Sequence, residues 1–340
     1  MPLKSYGVLI AKAVGVRREG AAQTPHFQIH LIDEHGTHHR AAVNVKSQQA
    51  PSDLLYVVAE DFRHPVTDRL AGLPGGWNTL PPGPGGGRLD FVRGNLFDPA
   101  ALRSLPPDAA GPDNDLADLL DLHVRRAVAD DSALLYVFGE RWGPEAAVRD
   151  KIFGFLPGNG VHDVHMNQGN SGTFEGDDGV WQDGGLLIRF PGPDRWVAVF
   201  LAFQSQSRHT DDATGHALGG AGGGAGGGWS GAGDRPVRIA AALADPVGPA
   251  PEAESVTLIN ASPDAVDLTG WRIVAGPGDG SPVPAGPLAA GAALRVALTD
   301  GARLGNHGGE ITLLDAGGLK VDGVSYTARD ASREGWTITF

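Results

Sequence analysis

The chain of 340 residues contains no cysteine. Disulfides, thiolate nucleophiles and cysteine-ligated zinc are therefore excluded, and any metal must be held by histidine, carboxylate or amide side chains. The N-terminal residues lack the charged segment and apolar stretch of an export signal. These features predict a cytoplasmic protein, although an unconventional export route would leave no such signal in the sequence.

Long apolar segments are absent as well. No run approaches the roughly 20 apolar residues that a membrane-spanning helix needs, because charged residues, glycine or proline interrupt each one. Excess positive charge is also lacking, since the formal net charge is -13. A passive nucleic-acid coat protein attracts phosphate through a basic surface, so this class is not expected. A metal-dependent nuclease stays compatible with the charge, because bound cations supply positive charge locally.

Glycine is the residue in excess, and it marks a domain boundary. More than half of the residues from Ala217 to Arg235 are glycine, which is typical of a flexible linker. The length of the chain also favours two domains. We therefore predict an N-terminal α+β domain over 1–216, a linker over 217–235 and an all-β domain over 236–340.

The N-terminal region is expected to be mostly β with one clear helix. Apolar residues from Leu116 to Val128 recur at helical spacing, with acidic residues near the start of the segment and arginines near its end. His123 lies on the apolar stripe of this helix and is expected to be a core histidine. The region contains no Gly-x-Ser-x-Gly elbow, Walker loop or dinucleotide fingerprint, so common serine hydrolases, P-loop enzymes and nicotinamide oxidoreductases have no support.

Polar residues concentrate in two short stretches, 157–172 and 204–216, each of which follows an apolar strand. Histidine and carboxylate are the ligands that zinc, manganese or non-haem iron uses when cysteine is absent. Because His162 and His165 would lie on opposite faces of a straight strand, they suit one metal only if the backbone turns between them. The sequence thus predicts a divalent-metal site, zinc or manganese, with the ligands His162, His165, His209, Asp211 and His216.

A metal held in this way lowers the pKa of a bound water and polarises a phosphoryl or carbonyl oxygen, which leads to the hypothesis of a metal-dependent hydrolase acting on a phosphodiester or similar anionic bond. Its predicted catalytic residues are His162, His165, His209, Asp211 and Asp212. An anionic small molecule or polymer would be bound by Lys46, Arg63, His64, Asn167, Gln168, Asn170, Gln204 and Gln206.

The alternative is a non-catalytic binding or adaptor protein that uses asparagine, glutamine and histidine side chains to line a cleft. Side-chain amides in loops more often bond nearby backbone groups than a ligand, so the amide-rich stretches by themselves do not choose between the two hypotheses. The hydrolase needs the histidines to converge on an ion, whereas the binding protein needs the amides to converge on a cleft.

Short alternating apolar segments separated by turns continue through 236–340 and predict an antiparallel sandwich. The more specific segments are VTLIN at 256–260, VDLTGWRI at 266–273, LGNHGGEI at 304–311 and VDGVSY at 321–326. They resemble the lamin-tail domain across this whole region. That resemblance implies an immunoglobulin-like sandwich that binds or tethers a surface or a protein partner, with Trp271 in its core.

The N-terminal region contains its own set of distinctive segments. They are LKSYGVL at 3–9, VNVKSQ at 43–48, DFRHP at 61–65, GFLPGNGVHDVHMNQGN at 154–170 and HTDD at 209–212. Together they resemble a bacterial family of unknown function, the YukJ-like family, over residues 1–218. The resemblance supports the domain organisation and implies no particular activity.

Overall fold

The computed structural model of the chain describes residues 5–20, 25–46, 54–80, 89, 94–105, 114–164, 184–203, 235–248, 253–276, 280–299 and 301–340. The chain divides into two compact units. The first unit lies within 1–62, 66–90 and 101–229, and the second within 63–65, 91–100 and 230–340. The sequence-based domain prediction places all of 1–216 in the first domain, whereas the segments 63–65 and 91–100 pack with the second unit.

The first unit is mostly β, as predicted. Several of its strand segments are buried along continuous runs, as at residues 6–11 and 39–43, because both faces of the strand are covered there. In chain order the described elements before the linker are β1 (Tyr6–Arg18), β2 (His26–Ile32), β3 (His38–Asn44), β4 (Leu54–Ala59), α1 (Val66–Ala71), β5 (Gly76–Thr79), a 3-10 turn (Pro99–Ala101), β6 (Arg103–Leu105), α2 (Asp115–Val128), β7 (Leu134–Glu145), β8 (Gly158–Val164), β9 (Gly185–Phe190) and β10 (Arg195–Phe203).

Five of these strands close into a barrel. They follow the order β1-β2-β3-β8-β7, and β7 pairs back to β1, with Phe138 opposite Val8. The β3–β8 pairing is parallel and the other four are antiparallel. This order, with α2 between the third and fourth barrel strands, is the topology of the five-stranded OB barrel. The register of β1 shifts between Ala13 and Gly15, and such a bulge lets a long strand bend around a barrel.

The barrel interior is apolar, and α2 packs against it. Leu116, Leu120 and Val124 of α2 join the side chains that the barrel strands turn inward, such as Phe27 and Val137, in one buried cluster. Burial of this face is the main source of stability for an amphipathic helix. The prediction of a helix in this segment is confirmed.

Both ends of α2 are stabilised locally. Asn114 precedes the helix, and its side-chain oxygen accepts a hydrogen bond from the amide of Ala117 at 2.9 Å. This cap satisfies one of the amides that a helix leaves unpaired at its start. Acidic residues in the first turn and arginines in the last turn also complement the helix dipole. Neither described helix is long and apolar enough to cross a membrane.

The second unit is all-β within its described residues. Two four-stranded antiparallel sheets, β17-β12-β11-β20 and β15-β14-β18-β19, contribute to one apolar core that contains Trp271, as a sandwich requires. The strands are β11 (Val237–Leu243), β12 (Ser255–Asn260), β13 (Val266–Asp267), β14 (Arg272–Ala275), β15 (Ser281–Pro282), β16 (Pro287–Leu288), β17 (Ala293–Ala297), β18 (Gly308–Leu314), β19 (Lys320–Thr327) and β20 (Ile338–Thr339).

A segment that precedes the linker by more than a hundred residues is part of this second unit. Asn95 is buried, has a left-handed backbone with φ of 51°, and donates hydrogen bonds from its side-chain amide to the carbonyls of Ile311 and Val324 at 3.1 and 3.2 Å. A Cβ on Gly323 would lie 1.9 Å from the Asn95 side-chain oxygen, so only glycine fits there. The segment is therefore built into the β18–β19 pair.

Charged groups hold the same segment. Asp98 accepts hydrogen bonds from Arg235 and from Arg238, the latter at 3.1 Å. Arg235 also donates to Asp322, whose other oxygen accepts from the amide of Ile239 at 2.7 Å. Asp322 is buried, and a buried carboxylate requires such partners.

We expect Asn95→Ala to destabilise the second unit by about 2 kcal/mol, because it removes buried hydrogen bonds and places alanine in a left-handed conformation. The measurement is the free energy of unfolding from urea denaturation followed by tryptophan fluorescence. The matched control is Asn306→Ala, since Asn306 is exposed and makes an exposed hydrogen bond to Asp245. Equal stability of the two variants would show that the segment is not integral to the unit.

Candidate functional site

The first polar stretch, 157–172, includes β8, and the second, 204–216, follows β10. β8 and β9 follow one another along the same edge of β7, with His162 opposite Glu140 and Gly185 opposite Phe138. β10 is the next strand beyond β9, and its Phe200 lies opposite Gly185. β10 runs in the same direction as β7. It continues for three residues beyond Phe200, so it extends past the start of β9 and reaches the level of β8.

β3 ends at the same place. It runs parallel to β8, and Val43 pairs with Val164, so the last residues of the two strands lie side by side. Lys46 follows two residues after the end of β3. We name the place where β3, β8 and β10 end and β9 begins the fork. The chain leaves the fork toward 165–183 after β8 and toward 204–234 after β10.

The end of β8 contains a β-bulge. Ala41 pairs with Val161 and Val43 pairs with Val164, so three residues of β8 lie alongside two of β3. Val161 and Val164 are both fully buried in the barrel core, although an offset of three places residues on opposite faces of a regular strand. The bulge therefore brings Val161 and Val164, three residues apart, to the same face of β8.

The structure describes four of the predicted site residues. His162 and Lys46 are partly buried residues of the first unit, whereas Arg63 and His64 belong to the second. The others lie outside the described residues, namely His165, Asn167, Gln168, Asn170, Gln204, Gln206, His209, Asp211, Asp212 and His216. Among the residues that are described, no group of three or more histidine, aspartate or glutamate side chains is placed to hold a metal ion.

His64 is occupied inside the second unit. Its side chain is almost fully buried, and Nε2 lies 2.6 Å from the carbonyl oxygen of Gly94, to which it donates, and 3.8 Å from a carboxylate oxygen of Glu310. The sequence predicts a substrate contact for this residue. The structure instead uses it to hold the segment before Asn95, which supplies a structural reason for histidine at this position.

A charged network on the outer face of the barrel lies next to His162, and the sequence analysis does not predict it. Arg40 donates from Nε to Asp150 at 2.6 Å and from Nη1 to Gln28 at 2.9 Å. The centre of its guanidinium lies 4.5 Å from the ring centre of Trp142, and the Trp142 ring lies 5.7 Å from that of His162. Arg40, Trp142 and His162 therefore form one row that leads to the fork.

Gly160 makes room for this row. A Cβ at Gly160 would lie 2.0 Å from the carbonyl oxygen of Arg40 and 2.2 Å from the Trp142 ring. In the sequence Gly160 indicates a turn from strand to loop, whereas the structure places it inside β8. A glycine inside a strand often marks a close approach of another group, and that signal could have indicated the row.

The Arg40–Asp150 pair is well shielded from solvent. Burial by itself would raise the pKa of Asp150, but hydrogen bonds from the amide of Phe153, from Arg40 and from the amide of Ile152 hold the pKa below its usual value. A buried ion pair with additional hydrogen bonds is costly to break on one side only. The network therefore fixes the wall of the site.

Two further histidines are buried away from the row. His39 accepts from the side-chain amide of Asn159 at 2.7 Å and donates from Nε2 to Asp33 at 2.9 Å, so both ring nitrogens have partners. Burial lowers the pKa of His39, which keeps the ring neutral. This Asp–His pair resembles a catalytic dyad but is closed, because no ring nitrogen is left for a substrate.

His123 is buried, as expected for a core histidine. Within the described residues neither ring nitrogen has a hydrogen-bond partner, and a carboxylate oxygen of Glu60 lies 3.9 Å from Nε2. Burial lowers the pKa of this ring as well. The prediction that His123 packs in the core is thus confirmed.

Comparison with known proteins agrees with the organisation of the first unit. Residues 1–215 match the family described as uncharacterized conserved protein (DUF2278), and the chain belongs to this family. One relative is the uncharacterized protein YukJ of Bacillus subtilis (strain 168), which is 42% identical over 214 residues, a match that covers 62% of this chain and 93% of YukJ. No solved structure matches the chain. The family match ends at residue 215, so the lamin-tail resemblance of 236–340 stays a prediction.

Gly160→Ala is expected to lower the free energy of unfolding of the first unit by about 3 kcal/mol, because its Cβ collides with backbone and with a packed ring. Thermal and urea denaturation would measure the change. Gly192→Ala is the control, since a Cβ at Gly192 meets no atom within 4 Å and the site has no positive φ. A small effect at both positions would contradict the close packing of the row.

Asp150→Asn is expected to change how stability depends on pH. Because the folded pKa of Asp150 is lowered, its contribution is present above the unfolded pKa of about 3.9 and is lost as the pH falls through the folded value. At pH 7 the variant should be about 3 kcal/mol less stable. Below about pH 4 its stability should fall less steeply than that of the wild type. Denaturant titrations from pH 2 to pH 7 would show this.

The control for that experiment is Asp194→Asn. Asp194 lies in an exposed turn with φ of 48°, a conformation that asparagine adopts equally well. Its pH profile should match that of the wild type. An Asp150→Asn profile that also matches the wild type would show that the Arg40–Asp150 pair contributes nothing to stability.

Proposed function

We propose that the first unit is a metal-dependent hydrolase of a phosphodiester or similar anionic bond, with its site at the fork. The observation that carries this proposal is the meeting of strand ends. β8 leads into the stretch that contains His165, and β10 leads into the stretch that contains His209, Asp211, Asp212 and His216. Strand ends that meet at one edge are where enzymes built on sheets commonly place their site residues, because loops there converge while the strands stay rigid.

The bulge in β8 supports a shared metal ligand role for the first two histidines. Val161 and Val164 return to the same face of β8 at an offset of three. His162 and His165 have the same offset of three, and the proposed site requires them to share one face. His209, Asp211 and His216 would complete a ligand set of imidazole and carboxylate, which suits zinc or manganese.

Described residues at the fork fit the remaining roles. Glu140 lies directly opposite His162 in the β7–β8 pair, and opposite residues share a face with Cβ atoms about 5 Å apart. Glu140 is therefore positioned to accept a proton from a metal-bound water, whose pKa the metal lowers toward neutrality. Lys46, just beyond β3, would attract the anionic group of the substrate.

The second unit has a different role in this proposal. Its all-β core is a binding scaffold, and we found no cluster of metal-ligating side chains among its described residues. By its resemblance to lamin-tail domains it would tether the hydrolase to a surface or a protein partner.

A second candidate function is favoured by the outer face of β2 and β3. In OB barrels this face binds ligands. Here Nε2 of His30 lies 2.8 Å from Nδ1 of His38, and the His30 ring stacks on Phe153 and Phe155 at 4.8 and 5.3 Å between centres. Such a row of stacked rings would serve a non-catalytic binding module, which needs no metal.

Elemental analysis distinguishes the two candidates. Tag-free protein purified without chelator is expected to contain, or to take up when supplied, about one equivalent of zinc or manganese per chain. The double variant His162→Ala, His209→Ala should lose it. His35→Ala is the control, because His35 is exposed in the β2–β3 turn. If the wild type neither contains nor binds metal, the hydrolase proposal fails and the binding module is preferred.

Hydrolysis of bis(p-nitrophenyl) phosphate by the metal-loaded protein tests the chemistry. Glu140→Gln should lower kcat by at least about a hundredfold while metal content stays unchanged, because it removes only the proton acceptor. Glu145→Gln, at the exposed end of the same strand, should leave kcat unchanged. Activity that survives in Glu140→Gln would assign the base to another residue.

A further inference from the structure

A cleft of about 550 Å³ lies in the first unit at the opposite end of β7 from the fork. It is lined by β1, by the first residues of β7, by β9, by the end of β2 and by the segment 71–75 after α1. Leu134 in the cleft and Glu140 at the fork are six residues apart on one strand, which is about 20 Å. The volume is within the usual range for sites that bind small molecules.

One cation in the cleft wall has no carboxylate partner in the part of the chain that the structure describes. Arg189 is partly buried, and within the described residues it forms no ion pair, while its Nε is buried without a hydrogen-bond partner. Its guanidinium interacts with the hydroxyl of Tyr136 and lies 5.7 Å from the ring centre of Trp196. Holding a desolvated charge without a counter-ion costs free energy, so an anion that reached Arg189 would be bound favourably.

A second cation faces the same space. Lys12 lies two residues after Ile10, which is opposite Tyr136, and Arg189 is opposite Leu134, two residues before Tyr136. Lys12 and Arg189 are therefore on the same face, on either side of β7, with their backbones about 10 Å apart. Both side chains are long enough to reach one anionic group. The present partner of Lys12 is a fully exposed carboxylate, Asp131, and such surface pairs are weak.

The rest of the lining limits what else can bind. Ile10, Val14 and Leu73 provide an apolar wall that would cover an aliphatic or aromatic body. Glu34 is exposed at one side of the cleft and repels additional negative charge. Asp33 is already used by the β2–β3 turn, where it accepts from the amides of His35 and Thr37.

We propose that this cleft binds a small molecule that has a single carboxylate and an apolar body. The carboxylate is bound by Arg189 and Lys12, and the apolar body packs against β1 and the segment after α1. The negative charge of Glu34 excludes polyanions such as nucleic acid. The site is independent of the hydrolase proposed at the fork.

Isothermal titration of the full chain with octanoate, compared with octan-1-ol, tests this site. Octanoate should bind at one site per chain, and at least tenfold more tightly than the alcohol, which has the same apolar body without the charge. Arg189→Gln should remove that difference by weakening octanoate only. Arg125→Gln, an exposed arginine of α2, is the matched control and should bind octanoate like the wild type.

Lys12→Gln keeps the test decisive if Arg189→Gln does not fold, because Lys12 is partly exposed and its replacement leaves the core intact. It should weaken octanoate several-fold and leave octan-1-ol unchanged. No binding of octanoate by the wild type, equal binding of acid and alcohol, or unchanged octanoate affinity in the folded variants would each overturn the proposal. The double variant His162→Ala, His209→Ala should bind octanoate normally, which separates this site from the one at the fork.

Discussion

The first unit depends on the way in which β7 is shared. One edge of this strand pairs with β1 and closes the barrel, while the other edge pairs first with β9 and then with β8. A single strand therefore belongs to the barrel and to the extended sheet. The barrel and the extended sheet separate at the point on β7 where its pairing with β9 ends and its pairing with β8 begins. Strand ends from the barrel and from the extended sheet therefore lie close together there. The fork and the cleft at the other end of β7 both follow from this arrangement.

Local features of the first unit could be predicted from the sequence. Helical spacing with charged ends predicts α2, because these signals lie within a few residues of one another. The unusual concentration of histidine and amide residues marked the two stretches that leave the fork. The YukJ-like resemblance, which the family match confirms, added the extent of the unit.

Long-range pairings could not be predicted in the same way. Arg40 and Asp150 are 110 residues apart, and closure of the barrel joins residues near 10 to residues near 136. No local sequence pattern specifies such partners. The free energy of forming these pairs depends on the entropy of closing long loops, which is set by the whole topology. The sequence does not predict the short helix α1 either, since six residues are too few to show a helical period.

Asn95 and its neighbours also bear on where this chain could be divided. YukJ is too short to contain the second unit, since the 214 matched residues are already 93% of it. A fusion made only at the glycine-rich linker would supply a C-terminal unit without the segment that fills the space above Gly323. A C-terminal unit produced on its own would therefore need residues 91–100 as well as those that follow the linker.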